Sequence, residues 1–329
     1  MRTLTLATLL VALAAPAALA GPQTAAQLLR SVPVDASAVV AIDGAALRAH
    51  PAVHAWLVRQ RVLTGTDGDA RRFFDDAGLD PLRDVDVAVV AAVPDGDRTG
   101  GVALLAGHYD TAALGAALVK RGAQALTIAG SPAYRLASEH EHGGPVVVAL
   151  PSAELVVVGG EPAVTMALAP PHAVLPLAAD EISAGRLDVR APFWLVATVP
   201  AQVRSHARAA AERVHGEGAD AVRGALFASG TVRRVVAQAT LGETLTFSGA
   251  AVADTPENAE LLRDTVKGAL AAARLHFQDS TPDLVDVLRG VELRLDGPVV
   301  AAKGSIPVAL LERLAAEHRC GAEAERRRP

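Results

Sequence analysis

The chain has 329 residues, half of them apolar, and a net charge of −5 at neutral pH, so it is long enough for two ordinary domains or one large one. Aromatic residues make up only 3 % of it and its basic residues are spread along its length. These features exclude the stacking surfaces and basic patches that bind nucleic acid. Because Cys320 is the only cysteine, no intrachain disulfide can form and stability must come from packing.

The first twenty residues have the pattern of a cleavable signal peptide. Arg2 supplies a positive charge, Leu4 to Leu13 form an apolar segment, and Ala18-Leu19-Ala20 is the small-x-small sequence that precedes cleavage. As a retained anchor, the stretch from Leu4 to Ala20 would reach about 25 Å at roughly 1.5 Å per residue, short of the roughly 30 Å hydrocarbon core. No cysteine follows for lipid attachment. We therefore expect a soluble protein that begins near Gly21 and is periplasmic or extracellular, with no later membrane span.

Residues 21–169 alternate short apolar strands with helices, as an N-terminal α+β lobe would. Predicted helices cover Ala25–Arg30, His50–Gln60, Asp69–Ala77 and Asp110–Arg121, and another begins at Glu161-Pro162. Predicted strands cover Ser37–Ile42, Val85–Val93, Gly101–Ala106, Ala125–Ile128, Ala133–Ala137, Pro145–Leu150 and Leu155–Val158. The turn residues Pro94-Asp95-Gly96-Asp97 join two of these strands into a hairpin.

Residues 191–319 have a similar order of elements and form a predicted C-terminal α+β lobe. Its strands are expected at Phe193–Val199, Thr231–Leu241, Thr244–Ala253, Val291–Leu295 and Val299–Ser305. Its helices are expected at Ala201–Val214, Thr255–Ala273, Pro282–Arg289 and Pro307–Glu317. The linker between the lobes falls at residues 170–190, where prolines interrupt the pattern, and residues 320–329 are a disordered tail.

Short residue matches in the same order suggest that the second lobe is a duplicate of the first. The matched segments are Val40-Ala41 with Val196-Ala197, Val89-Val90 with Val235-Val236, Asp110-Thr111 with Asp254-Thr255, Val119-Lys120 with Val266-Lys267, and Gly144 to Val147 with Gly297 to Val300. The predicted fold is α+β, with two related lobes that each carry helices on a largely antiparallel sheet. They form either separate lobes or two halves of one continuous sheet.

Four short motifs resemble a group of exported bacterial proteins of unknown function. They are Val32 to Ala36 before the first strand, Gly78 to Val85 before the hairpin, Gly107 to Asp110 before a helix, and Leu155 to Gly159 before another helix. The resemblance implies two related lobes and no known activity, so no catalytic residue can be transferred from it.

The sharpest candidate site is His140-Glu141-His142. In an extended segment, His140 and His142 project to the same face and could present two imidazoles to Zn²⁺ or Cu²⁺. The alternative is an exposed hairpin loop, because Gly143-Gly144 follows between two strands.

The remaining candidates favour structural interpretations. Asp110 in His108-Tyr109-Asp110 is placed to cap a helix, and His50 with His54 fits a solvated pair better than a metal site. Gly159 to Pro162 lacks the spacing of a nucleotide-binding loop, and no G-x-S-x-G motif is present. We therefore assign no catalytic residue, no cofactor-binding residue and no cofactor.

We expect an exported, non-enzymatic protein that acts as a binding or envelope-associated interaction module, with a protein or envelope component as its partner. A groove between the lobes is the place where an apolar cleft is expected. The alternatives are a metal-binding protein that uses His140 and His142, or a hydrolase of unrecognised type.

Overall fold

A computed structural model describes residues 23–51, 53, 68–95, 98–137, 144–169, 175–215 and 219–313. The predicted signal peptide, the His140 and His142 pair, His54 and the predicted tail lie outside these residues. Within the described ranges, no helix is both long and apolar enough to cross a membrane.

Helices begin where the sequence supplies capping groups. Thr24 and Gln27 form a capping box, and the Asp43, Asp110 and Thr255 side chains each accept a hydrogen bond from a backbone N–H in the first turn of a helix. The helices are α1 (Ala25–Leu28), α2 (Gly44–Ala49), α3 (Gly68–Ala77), α4 (Pro81–Asp84), α5 (Thr111–Lys120), α6 (Glu161–Ala167), α7 (Pro176–Ser183), α8 (Ala201–Arg213), α9 (Ala219–Ser229), α10 (Pro256–Phe277) and α11 (Pro282–Arg289). Residues 308–313 are also helical.

The strands form one antiparallel sheet. They are β1 (Ala38–Asp43), β2 (Val85–Asp95), β3 (Arg98–Gly107), β4 (Gln124–Ile128), β5 (Ser131–Leu136), β6 (Val146–Ser152), β7 (Leu155–Gly159), β8 (Phe193–Thr198), β9 (Val232–Leu241), β10 (Thr244–Ala253), β11 (Glu292–Asp296) and β12 (Val299–Pro307). The twelve strands lie in the order β11-β12-β10-β9-β8-β1-β2-β3-β7-β6-β5-β4. The predicted α+β fold with a largely antiparallel sheet is therefore confirmed, and its two halves form one continuous sheet joined where β1 pairs with β8.

Helices cover the two faces of the sheet at different places. On the first face, α1, α6 and α7 contribute to a large apolar core with β1, β2, β3, β7, β8 and β9, and Trp194 is fully buried there. On the second face, α3 and α5 cover the strands around β6 and β7, while α10 covers β10 and β12. Neighbouring side chains of a strand point to opposite faces of the sheet. Most strands carry apolar residues on both faces, since helices cover both.

The pairing register places two of the sequence matches on corresponding strands of the two halves. Val40 pairs with Val90 in the first half, and Val196 pairs with Val236 in the second. These residues are matched in the sequence and lie on corresponding strands. However, Val196 pairs with Val39, and both are buried in the main core, so Val196 and its match Val40 lie on opposite faces of the sheet. The same holds for the exposed Val90 and the buried Val236. The register therefore does not place the matched residues in equivalent positions, and duplication stays a prediction.

One of the sequence matches does not correspond to equivalent places in the sheet. The segment at Gly144 to Val147 leads into β6, which lies two strands from β3. The segment at Gly297 to Val300 leads into β12, which pairs directly with β10. In the order of the sheet, β10 corresponds to β3, β12 to β7 and β11 to β6. The two matched segments therefore lead into strands that do not correspond.

Residues 175–190 of the predicted linker pack in the main core. They contain α7, whose Leu177 and Ala178 are buried with Trp194. Glu181 of the same helix has a fully buried side chain that forms ion pairs with Arg186 and with Arg234 of β9. The connection between the halves is thus held by both apolar contacts and charge.

Candidate functional site

An apolar cavity of about 460 Å³ lies between α3, α5 and the second face of the sheet. This volume is within the range of about 300–1,000 Å³ that is usual for ligand pockets. Its lining is aliphatic and aromatic apart from the Arg121 guanidinium and the Tyr109 hydroxyl. The lining residues are Phe73, Phe74, Leu79, Pro81, Val85, Leu105, Tyr109, Leu114, Leu118, Arg121, Leu136, Val146, Val148, Val156 and Val158.

Helix α5 forms one wall, and contacts at its first turn and in its middle hold it in place. The Asp110 side chain accepts hydrogen bonds from the N–H groups of Ala112 and Ala113 at the first turn. In the middle, a Cβ on Gly115 would lie 2.3 Å from the Tyr134 hydroxyl. Only glycine permits this close approach of α5 to β5. In this position, α5 directs Leu114 and Leu118 towards the cavity.

Helix α3 forms the opposite wall and is tied to α5 by charge. The Lys120 Nζ lies 2.7 Å from the Asp76 Oδ1, and the Arg121 guanidinium carbon lies 5.2 Å from the centre of the Phe73 ring. Phe73 and Phe74 contact each other with ring centres 5.7 Å apart. Exposed ion pairs contribute little energy individually, so the phenylalanine side chains are the main attachment of α3.

The one phenol in the lining is neutral and already has a partner. The Tyr109 hydroxyl donates a hydrogen bond to the Leu105 carbonyl oxygen at 3.2 Å. Burial raises the pKa of Tyr109 well above its usual range, and the nearby carboxylates of Asp86 and Asp84 raise it further. A bound molecule would therefore meet an interior without a charged group.

The mouth of the cavity lies where its lining is exposed. Arg121 is exposed, and Val146 retains 40 % of its accessible surface. The remaining wall residues include the buried Leu114, Leu118, Val148 and Val156. The geometry supports entry of an apolar molecule beside Arg121.

The structure places some of the sequence-based candidates and leaves others outside it. Asp110 caps α5 as predicted, and the neighbouring His108 Nδ1 lies 3.2 Å from the Asp86 Oδ2. The His50 Nε2 lies 2.9 Å from the Gly242 carbonyl oxygen. His140 and His142 fall outside the described residues, and no group of three or more metal-ligating side chains occurs within them.

Nothing in the sequence indicates the cavity itself. Its lining comes from α3, α4, α5 and strands β2, β3, β5, β6 and β7, and each contributes one or two residues of types that are usual in cores. The available signal was the apolar side of α3, where Phe73 and Phe74 were expected to pack. An apolar cleft was expected instead between the two halves, where the structure has a continuous sheet.

Comparison with known proteins identifies a fold and no family. No family model and no curated protein matches this chain. The protein TP0453 in its crystal form III is 10 % identical, with a TM-score of 0.51 over 91 % of this chain and 99 % of the other. Crystal forms I and IV of TP0453 give TM-scores of 0.45 and 0.44 at 11 % identity, over 91 % and 90 % of this chain and 98 % and 97 % of theirs. The chain therefore shares the fold of TP0453.

Proposed function

We propose that this protein is an exported binding protein that holds a small apolar molecule in the cavity between α3, α5 and the sheet. The observation that carries the proposal is the size of a cavity whose lining is almost wholly apolar. Export rests on the signal-peptide pattern of residues 1–20.

The energetic cost of an empty void supports the presence of a ligand. Protein interiors rarely contain voids much larger than a water molecule, and residual cavities cost about 24 cal/mol per Å³. Because this cavity is open at its mouth, its cost is that of apolar surface left in contact with water, about 25 cal/mol per Å². That apolar surface stays exposed until something covers it.

The chemistry of the lining restricts the class of ligand. A cavity of about 150 Å³ holds one benzene molecule, so this one accommodates a molecule several times larger. Apart from Tyr109 and Arg121, the lining offers no side-chain hydrogen-bond donor or acceptor. A sugar, nucleotide or peptide would lose its hydrogen bonds to water there without replacement. The ligand we propose is therefore an uncharged ring system or a hydrocarbon chain.

Filling the cavity should weaken binding of an apolar probe. We expect the mature chain to enhance the fluorescence of the neutral apolar probe N-phenyl-1-naphthylamine. Val158→Phe adds a ring inside the cavity and should weaken binding at least about tenfold, which corresponds to about 1.4 kcal/mol. The measurement is a probe titration at constant protein concentration.

Val90→Phe is the matched control. Val90 carries the same side chain on the same face of the sheet, but it is 48 % exposed and does not line the cavity. We expect it to bind the probe as the unmodified chain does. Equal binding by both variants, or no binding by the unmodified chain, would refute the proposal.

Metal binding through His140 and His142 stays a prediction from the sequence, because these residues are outside the described part.

A further inference from the structure

The two edges of the twelve-stranded sheet differ in how they are protected. An edge strand presents unpaired backbone N–H and C=O groups, and proteins usually protect such edges with charges, prolines or bulges. Edge strand β11 has the sequence Glu-Leu-Arg-Leu-Asp, with a charge at every second position. Edge strand β4 has the sequence Gln-Ala-Leu-Thr-Ile and carries no charge and no proline. In the described sheet, β4 pairs only with β5.

The hairpin between β4 and β5 fixes which backbone groups of β4 face outward. Ile128 pairs with Ser131 across a two-residue turn, in which Ala129 and Gly130 have φ of 49° and 80°. The residues that flank such a turn exchange hydrogen bonds, and the pairs then alternate along the ladder. The N–H and C=O groups of Ala125 and Thr127 therefore point away from β5 and are available at the edge.

We propose that two copies of this chain pair through β4, antiparallel and centred on Leu126. In this register, Ala125 of one copy exchanges both hydrogen bonds with Thr127 of the other, and the symmetric pair does the same. Leu126 then lies directly opposite its own counterpart, and cross-strand apolar pairs are stabilising. The arrangement is isologous, as expected for a two-fold dimer.

Pairing two copies through β11 in the same way, centred on Arg294, is unfavourable. Its outward-facing residues are Leu293 and Leu295, since Asp296 and Val299 flank the two-residue turn to β12. Pairing two copies there would set Arg294 opposite itself and Glu292 opposite Asp296. Like charges directly opposite each other destabilise a sheet. Edge β11 can pair with itself only in registers that align its opposite charges, whereas β4 carries no charge that opposes pairing. The partner that the β4 edge fits is therefore a second copy.

Charge placed on both outward-facing residues tests the proposal. Ala125 and Thr127 are exposed, so Ala125→Lys with Thr127→Lys should preserve the fold but set lysine opposite lysine twice in the dimer. By sedimentation equilibrium of the mature chain, we expect the unmodified protein to dimerise and the double variant to dissociate at least tenfold more readily. Thr240→Lys with Ser305→Lys adds the same charge at exposed positions away from the edge and should leave the dimer intact.

A charge-reversed partner separates loss of pairing from loss of folding. Ala125→Glu with Thr127→Glu should also be monomeric alone, but a mixture of the two variants should form heterodimers through two lysine–glutamate pairs. A monomeric unmodified chain at every concentration would overturn the proposal. A dimer that the lysine variant leaves unchanged, or variants that do not recombine, would overturn it equally.

Discussion

At the residue scale, the most informative group is the fully buried carboxylate of Glu181. Its Oε2 accepts a hydrogen bond from Arg186 Nε at 2.6 Å, and its Oε1 accepts one from Arg234 Nη1 at 2.7 Å. Burial alone would raise the pKa of Glu181, but the two arginine hydrogen bonds outweigh it and hold the pKa below its usual range. The carboxylate therefore stays ionised and joins α7 to β9.

Glu181→Gln should lower the free energy of unfolding by about 3 kcal/mol at neutral pH, because it leaves two arginines without their shared anion. Urea unfolding followed by circular dichroism measures the change. Glu292→Gln is the control, since Glu292 is exposed and lies 3.5 Å from Arg294, where an ion pair contributes little.

The Glu181→Gln defect should also depend on pH. A carboxyl group whose pKa is lower in the folded state stabilises fully above its unfolded pKa of about 4.3. That contribution is lost as pH falls from this value through the lower folded pKa. The difference between the two proteins should therefore shrink in acid, and a difference that stays constant to low pH would contradict this role of the charge.

At the scale of elements, close packing of α5 on β5 reverses the usual effect of a helical glycine. Gly115→Ala would place a Cβ 2.3 Å from the Tyr134 hydroxyl and 2.9 Å from its Cζ. We expect it to destabilise the protein by about 1–3 kcal/mol, as overpacking does, and to disturb the cavity wall. Thermal unfolding and probe binding measure the two effects.

The matched control is Gly224→Ala in α9, where a Cβ would meet nothing within 4 Å. There the better helix propensity of alanine should stabilise by up to about 1 kcal/mol. Equal effects of the two substitutions would show that α5 can move away from Tyr134.

Local signals explain which elements could be predicted from the sequence. Helix α10 begins at Thr255-Pro256, and the β2–β3 hairpin follows from alternating apolar residues around a turn. Helices α7 and α9 were not expected. Pro176 marks the start of α7 but equally fits a linker, and α9 (Ala219–Ser229) has little apolar periodicity. Their positions depend on packing that the sequence does not display.

At the scale of the whole molecule, the sequence indicated two similar halves but not how they meet. The matches at Val40 and Val90 lie on β1 and β2, whose pairing the alternating apolar pattern favours, but the pairing of β1 with β8 has no local signal. The cavity could not be predicted because its shape depends on the distance between α3, α5 and the sheet. That distance is set by contacts such as Gly115 with Tyr134, which are remote in sequence.

The continuous sheet predicts that the two halves unfold together. Trp194 of the second half is buried in a core that also contains Val39 and Ala41 of β1, and five residue pairs join β1 to β8. Residues 21–169 alone would expose β1 as an edge and lose this cover, so we expect that fragment not to fold. In the full chain with Trp56→Phe, Trp194 fluorescence and circular dichroism should report a single coincident transition. Two separate transitions, or a folded fragment, would show that each half is stable independently and that the β1–β8 junction is an interface between domains.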